Sequence, residues 1–280
     1  MQHETPVKSL TFDSFIPCPG NMTATQMAIL MAENGSLSSG EALLYLYGDR
    51  GVGKTHLLNA VANAAAKYDT VFADVKKLLK WCEEKWEKGE RVDLAERLID
   101  PDLLLLDNVD ASSEHEQFQA GLFDLIENRL SAGLGVVAAA RVPPSGLKVF
   151  HSEYENLLGG GRIVKLDWAD RACQEVILRN LVGAGNAPDA VLGAILSKGI
   201  EDGHMLKDWA QGLRAQTQIS RLLTQLGYSP ASVRKTGTDR GAYLISQWRL
   251  ELEGRTHVAD VAYSLTSRSV VTRCWSPLEN

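Results

Sequence analysis

The sequence predicts an α/β fold, a parallel sheet covered by helices on both faces, followed by a small all-helical domain and a short C-terminal appendage. Three observations predict it. Gly48-Asp49-Arg50-Gly51-Val52-Gly53-Lys54-Thr55 stands between the apolar run 42–47 and a segment, 56–67, whose Leu57, Leu58, Val61, Ala62 and Ala65 recur at helical spacing. Leu103-Leu104-Leu105-Leu106-Asp107 is an apolar run of strand length that ends in an acid, which suits the middle of a parallel sheet. Strand and helix patterns then alternate to about Leu166, after which only helical patterns follow as far as Leu226. These shifts divide the chain into residues 1–168, 169–228 and 229–280.

In chain order, residues 9–15 lead to the turn cluster Pro17-Cys18-Pro19-Gly20-Asn21, and a helix rich in Met and Ala runs from Thr23 to Glu33, stopping near Asn34-Gly35. Two readings of the aromatic lead-in are open: contact with a nucleotide base, or a strap over the core. Thr70 to Asp74 reads as a second strand, and Val75 to Lys88 as a helix with Leu78, Leu79, Trp81, Cys82 and Trp86 on its apolar face. Lysines 76, 77, 80, 85 and 88 flank those tryptophans. Such a helix reads first as one docked by its aromatics with a solvated lysine edge, and second as a surface for single-stranded nucleic acid. After the Leu-rich strand, Ser113 and Glu116 have capping-box spacing before a helix carrying Phe118, Leu122, Leu125, Ile126 and Leu130. Gly135 to Ala140 and Ile163 to Leu166 are the remaining strands. The helical domain comprises Ala172–Leu181, Asp189–Ile200 and Met205–Leu226.

The stretch from Gly48 to Thr55 fits the phosphate-binding pattern G-x-x-x-x-G-K-[ST] at every position. Its glycines let successive N–H groups face one anion, and the helix that follows adds the positive end of its dipole. Lys54 is expected to reach the β- and γ-phosphates, the Thr55 hydroxyl to hold Mg²⁺, and Asp107 to complete the Mg²⁺ shell.

The composition is that of an ordinary globular chain, 45% hydrophobic and 23% charged with a net charge of −6. That balance argues against a general polyanion binder. No apolar run is long enough to span a membrane and the N-terminus lacks the plan of a signal peptide, so a cytoplasmic protein is expected. Cys18, Cys82, Cys173 and Cys274 show no metal-ligand spacing and read as thiols.

The phosphate loop continued through His56-Leu57-Leu58, the Phe12-Asp13-Ser14-Phe15 lead-in, the strand into Asp107-Asn108-Val109-Asp110 and the three-helix domain together resemble the AAA+ domain of the DnaA/Hda-like family, over roughly residues 9–226. That family comprises a replication initiator, its regulator and related helicase loaders. The resemblance implies a P-loop AAA+ fold that binds ATP or ADP with Mg²⁺ between the sheet domain and the helical lid. The implied nucleotide contacts are Gly48, Asp49, Arg50, Gly51, Val52, Gly53, Lys54, Thr55 and His56, joined by Lys207 at a lid position where the family has an arginine. Thr55 and Asp107 are the implied metal ligands.

Several positions depart from the family pattern. Asn108 stands where an acid is expected, and an amide cannot accept a proton from water. A polar sensor position falls on Ala140 or Arg141, and an arginine finger falls on Leu157, with Arg162 nearby but out of register. Slow or absent hydrolysis is therefore expected. In the alternative alignment Asp110 or Glu114 serves as base and Arg162 or Arg141 as finger.

Beyond Gly227, Arg240–Glu253, Thr256–Leu265 and Ser267–Trp275 read as helices, and residues 260–275, with Thr266-Ser267 as the turn, are similar to a helix-turn-helix whose Arg268, Ser269, Thr272 and Arg273 would face DNA. Residues 232–280 carry seven Lys or Arg against five Asp or Glu, a local +2 on an otherwise acidic chain. Alternation through Leu250, Leu252, Val258, Val261, Tyr263, Leu265, Val270 and Val271 also allows a three-stranded β appendage used for dimerisation. The expected partners are thus nucleotide, DNA through the appendage, a replication protein and a second copy of the chain. Three functions are expected in turn: a DnaA-like ATP switch, an Hda-like interaction module, or an active helicase-loader ATPase.

Overall fold

The computed structural model describes residues 5–37, 41–94, 98, 100–183, 189–197, 199–225, 229–238, 241–252, 255–264 and 270–275. They form two compact units, 1–170 and 171–280.

The first unit is built on five parallel strands, β1 (Leu43–Tyr47), β2 (Thr70–Asp74), β3 (Leu103–Asp107), β4 (Gly135–Ala140) and β5 (Arg162–Lys165), in the order β2-β3-β4-β1-β5. Helix α1 (Met22–Asn34) precedes the sheet, and α2 (Lys54–Ala64), α3 (Val75–Trp86), α4 (Glu116–Ser131) and α5 (Ser152–Gly159) fill the connections between strands. The unbroken apolar strands follow from burial on both faces. Tyr45, Leu104, Leu106, Val136 and Ala138 join the core beneath α3 and α4, while Leu44, Leu46, Leu103, Leu105 and Val137 join the core beneath α1 and α2.

Most expected elements occur within a few residues of their predicted ends. The capping box does not form: Ser113 lies in a 3₁₀ turn, Val109–Glu114, and His115 precedes α4 without a side-chain cap. The 3₁₀ turn takes the residues that the box would need. The lead-in is a strap along α2, where the Val7 N–H donates to Asn59 Oδ1 (2.8 Å) and Asn63 Nδ2 donates to the carbonyls of Val7 (3.0 Å) and Leu10 (2.9 Å).

Arg129, wholly buried near the end of α4, donates to the carbonyls of Leu98 (3.1 Å), Asp102 (3.3 Å) and Gly135 (3.0 Å). Burial lowers its pKa to about 10, against the raising effect of Asp102. It ties the approach to β3 to the start of β4, and the sequence showed no sign of this. Arg129→Ala strands buried carbonyls, each worth about 1–3 kcal/mol, so a loss of roughly 3 kcal/mol or more in urea unfolding is expected. A loss below about 1 kcal/mol would show that water replaces the guanidinium.

In the second unit α6 (Arg171–Val182) packs against α7 (Asp189–Leu196) and α8 (Gly203–Gln225), and α8 packs against a four-stranded antiparallel sheet, β6 (Ser229–Thr238), β7 (Gly241–Leu252), β8 (Arg255–Ser264) and β9 (Val270–Trp275). This overturns the helix-turn-helix. Val, Thr and aromatic residues at period 2 fit a pleated surface better than a helix. Leu252 pairs with Arg255 and Thr238 with Gly241, so only two residues separate each pair of strands, the shortest hairpin spacing. Arg268 and Ser269 lie outside the described residues. Thr272 and Arg273 lie in β9, a strand rather than a recognition helix.

Candidate functional site

The carboxyl ends of β1, β2 and β3 carry the chemistry, as expected of a parallel sheet whose connections leave a crevice there. The loop after β1 reaches α2 through Gly48 (φ 154°) and Gly53 (φ 108°), conformations that L side chains rarely adopt. A Cβ on Gly48 would collide with the Leu166 carbonyl oxygen, and one on Gly53 would lie 2.8 Å from the Phe15 ring. Both positions therefore require glycine twice over, by torsion and by space.

Lys54, 9% exposed, turns back over the loop and donates to the carbonyls of Gly48 (2.5 Å) and Asp49 (2.8 Å). Burial lowers its pKa, while Asp107, Asp110 and Asp49 act to raise it. The exposed Thr55 hydroxyl donates to Asp107 Oδ2 at 2.6 Å, across 52 positions of sequence. Asp107 is 3% exposed, and burial raises its pKa against the lowering effect of hydrogen bonds from Thr55 and from the Asn108 N–H (2.9 Å). A short charge-assisted bond between the hydroxyl and the carboxylate fixes two hard oxygens side by side. Thr55 and Asp107 are a fitting pair for a Mg²⁺ that is completed by phosphate and water oxygens.

Of the other expected contacts, Asp49 and Arg50 are exposed on the loop, Gly51 has φ 82° and Val52 is buried. His56 is turned toward the strap, with Nε2 3.1 Å from Ser14 Oγ and 3.0 Å from the Thr11 carbonyl, and its ring meets Phe15 edge-on at 5.1 Å. Lys207 is exposed near the start of α8 in the second unit.

Asn108 is the one non-glycine residue with positive φ among the described residues (φ 58°, ψ 43°), a conformation that asparagine tolerates well. Its Nδ2 donates to Asp74 Oδ2 at 3.1 Å. Asp110, offered above as an alternative base, accepts from the Arg141 N–H (3.1 Å) and Nε (3.0 Å). Glu114 is exposed at the end of the 3₁₀ turn. Leu157, at the expected finger position, packs against the core; of the alternative fingers, Arg162 pairs with Glu41 (3.3 Å) and Arg141 with Asp110. Asp74 was missed by sequence reasoning, although an acid that closes a parallel strand was the same signal that singled out Asp107.

The family model described as the bacterial DnaA ATPase domain matches residues 7–165. The chain is 29% identical over 186 residues to the chromosomal replication initiator protein DnaA of Mesorhizobium japonicum, covering 65% of this chain and 38% of that protein. The Thermotoga maritima protein of the same name is 24% identical over 192 residues, with 66% and 43% covered. This chain thus spans about two fifths of the length of these relatives. Domain III of the T. maritima replication initiation protein DnaA has a similar fold, with a TM-score of 0.70 at 21% identity over 78% of this chain and 93% of that one. A replication initiator DnaA bound to AMPPCP and single-stranded DNA gives a TM-score of 0.66 at 22% identity, over 80% and 70% of the two chains.

Proposed function

Because this chain belongs to the bacterial DnaA ATPase domain family, whose model covers more than half of it, we propose that it is an adenine-nucleotide switch acting in replication initiation or its control, with nucleotide occupancy rather than turnover as the signal. The observation that carries the reading is the junction of Lys54, Thr55 and Asp107 at the end of the sheet. The carbonyls that Lys54 now contacts are acceptors that phosphate oxygens would replace, and loop N–H groups and the α2 dipole supply the remaining positive field. Thr55 and Asp107 would hold Mg²⁺, which supplies charge neutralisation on the phosphate oxygens. Lys207 is the proposed lid contact.

Asn108 lacks the proton affinity of a base, and Leu157 leaves the finger position without a charge. A missing base costs about 10²- to 10⁴-fold and a missing finger about 10³- to 10⁵-fold. ATP and ADP are therefore expected to bind in calorimetry, while single-turnover hydrolysis at saturating ATP·Mg²⁺ stays below about 10⁻² s⁻¹, the range of slow switch proteins. Turnover at 1 s⁻¹ or faster would remove the switch reading and return Asp110 or Glu114 to consideration.

Two partner readings have a specific observation behind them. The open β6-β9 sheet leaves two edge strands, a template for pairing with a second copy. Dimerisation in sedimentation velocity that disappears on deletion of residues 229–280 supports an Hda-like module, and a monomer at every concentration counts against it. For DNA, the exposed Lys76, Lys77 and Lys80 on α3 replace the appendage as the proposed contact. Reversing all three charges is expected to weaken binding of single-stranded DNA about tenfold or more and to flatten its salt dependence. Unchanged affinity would move the DNA surface elsewhere.

A further inference from the structure

Asp74 and Asp107 stand opposite each other in register at the ends of β2 and β3, and Asn108 follows directly on Asp107. Three contacts fix Asn108. Its N–H donates to Asp107 Oδ1 (2.9 Å), its carbonyl accepts from the Ala111 N–H (2.9 Å), and its Nδ2 donates to Asp74 Oδ2 (3.1 Å). The other oxygen of Asp74 caps α3 by accepting from the Lys76 N–H at 2.8 Å. A carboxylate only accepts, so Asp74 draws the NH₂ end of the amide toward itself and turns the amide oxygen the other way.

We propose that Asp74 is a positioning residue for Asn108 and that the two form one unit, so that a base is restored only by exchanging amide and carboxylate between them, as in D74N/N108D. The proposal rests on the nucleotide reading above. N108D by itself sets two acceptor-only carboxylates within about 3 Å, and like charges at that separation repel; the new carboxylate turns away and no base is gained. In the exchanged pair the amide introduced at position 74 keeps the α3 cap through its oxygen and offers its NH₂ to the carboxylate at position 108. Water then forms a bond to the γ-phosphorus, the bond from that phosphorus to the bridging oxygen breaks with its electron pair leaving on ADP, and the proton of the water goes to the carboxylate at 108.

The experiment compares the native chain, D74N, N108D and D74N/N108D in three ways: melting without nucleotide, ATP affinity by titration, and single-turnover hydrolysis at saturating ATP·Mg²⁺. N108D is expected to lower Tm by a few degrees and to raise turnover less than about tenfold. D74N is expected to lower Tm as well, since one amide oxygen cannot accept from both the Lys76 N–H and Asn108 Nδ2, and it gains no base. The exchange should recover the melt and raise turnover about 100-fold or more at unchanged ATP affinity, a split between rate and binding that a purely structural role does not produce. The proposal is overturned if N108D alone turns over as fast as the exchange, if the exchange binds ATP and is no faster than native, or if the exchange fails to recover the melt lost in N108D. Should none of the four proteins bind ATP, the nucleotide reading fails by itself, and the melts still decide whether the pair exists.

Discussion

Lys54→Ala is expected to raise the Kd for ATP and for ADP by about 100-fold or more, which at 1.4 kcal/mol per tenfold is roughly 2.8 kcal/mol. That loss lies in the range of one charge-assisted hydrogen bond to phosphate together with its long-range attraction. The same substitution should hardly disturb the empty protein. The ammonium is buried with its pKa lowered by that burial, so its removal takes a poorly solvated charge out of the interior along with its two loop contacts. Thermal melts with and without ATP·Mg²⁺ separate the two effects. The ligand-induced rise in Tm should vanish while the unliganded Tm moves little. A rise that survives in Lys54→Ala would place the nucleotide somewhere other than this loop.

Asp107→Asn is expected to abolish the dependence of ATP affinity on Mg²⁺ and to leave the unliganded protein as stable as before, or more so. The amide can accept from the Asn108 N–H and donate to the Thr55 hydroxyl, which serves either role, so both native contacts survive in altered form. The buried charge is what disappears. Burial raises the pKa of Asp107 above its ordinary 3.8, so the folded chain binds the proton more tightly than the unfolded chain. The stability cost of the charge is therefore fully present above the folded pKa and fades as the pH falls toward 3.8. Urea unfolding of the two proteins should show the advantage of Asp107→Asn shrinking over that window. An advantage that grows with acidification would mean that the carboxylate is better stabilised than its burial indicates.

The first unit was legible because its signals are local and redundant. Leu103 to Leu106 could be read as a central strand since both sheet faces bury alternate leucines, and the glycines of the loop announced torsions that other residues avoid. The meeting of Thr55 with Asp107 was legible because motif and strand end point at the same place. Asp74 escaped notice because its role depends on pairing between β2 and β3, a register that sequence does not state. Arg129 looked like one of many charged residues on a helix, and only the return of the chain at Leu98 and Gly135 encloses it. The appendage failed for another reason: over ten residues the small and β-branched pattern of 255–275 satisfies two periods nearly equally. The two-residue gap Glu253-Gly254 was the signal that could have decided for a hairpin.

The strand that launches the phosphate loop has neither of its neighbours close by in the chain. Leu43 pairs with Val136 and Leu44 with Arg162, in each case about ninety residues or more downstream. A ribosome adding roughly 5–20 residues per second leaves Leu43 to Tyr47 without partners for about 5 seconds or longer after they are made. During that interval an apolar pentapeptide precedes the loop proposed to bind nucleotide. Nascent chains of this protein should therefore engage holdase chaperones through residues 42–47 until β4 and β5 emerge, and the site becomes competent only in the last part of synthesis of the first unit.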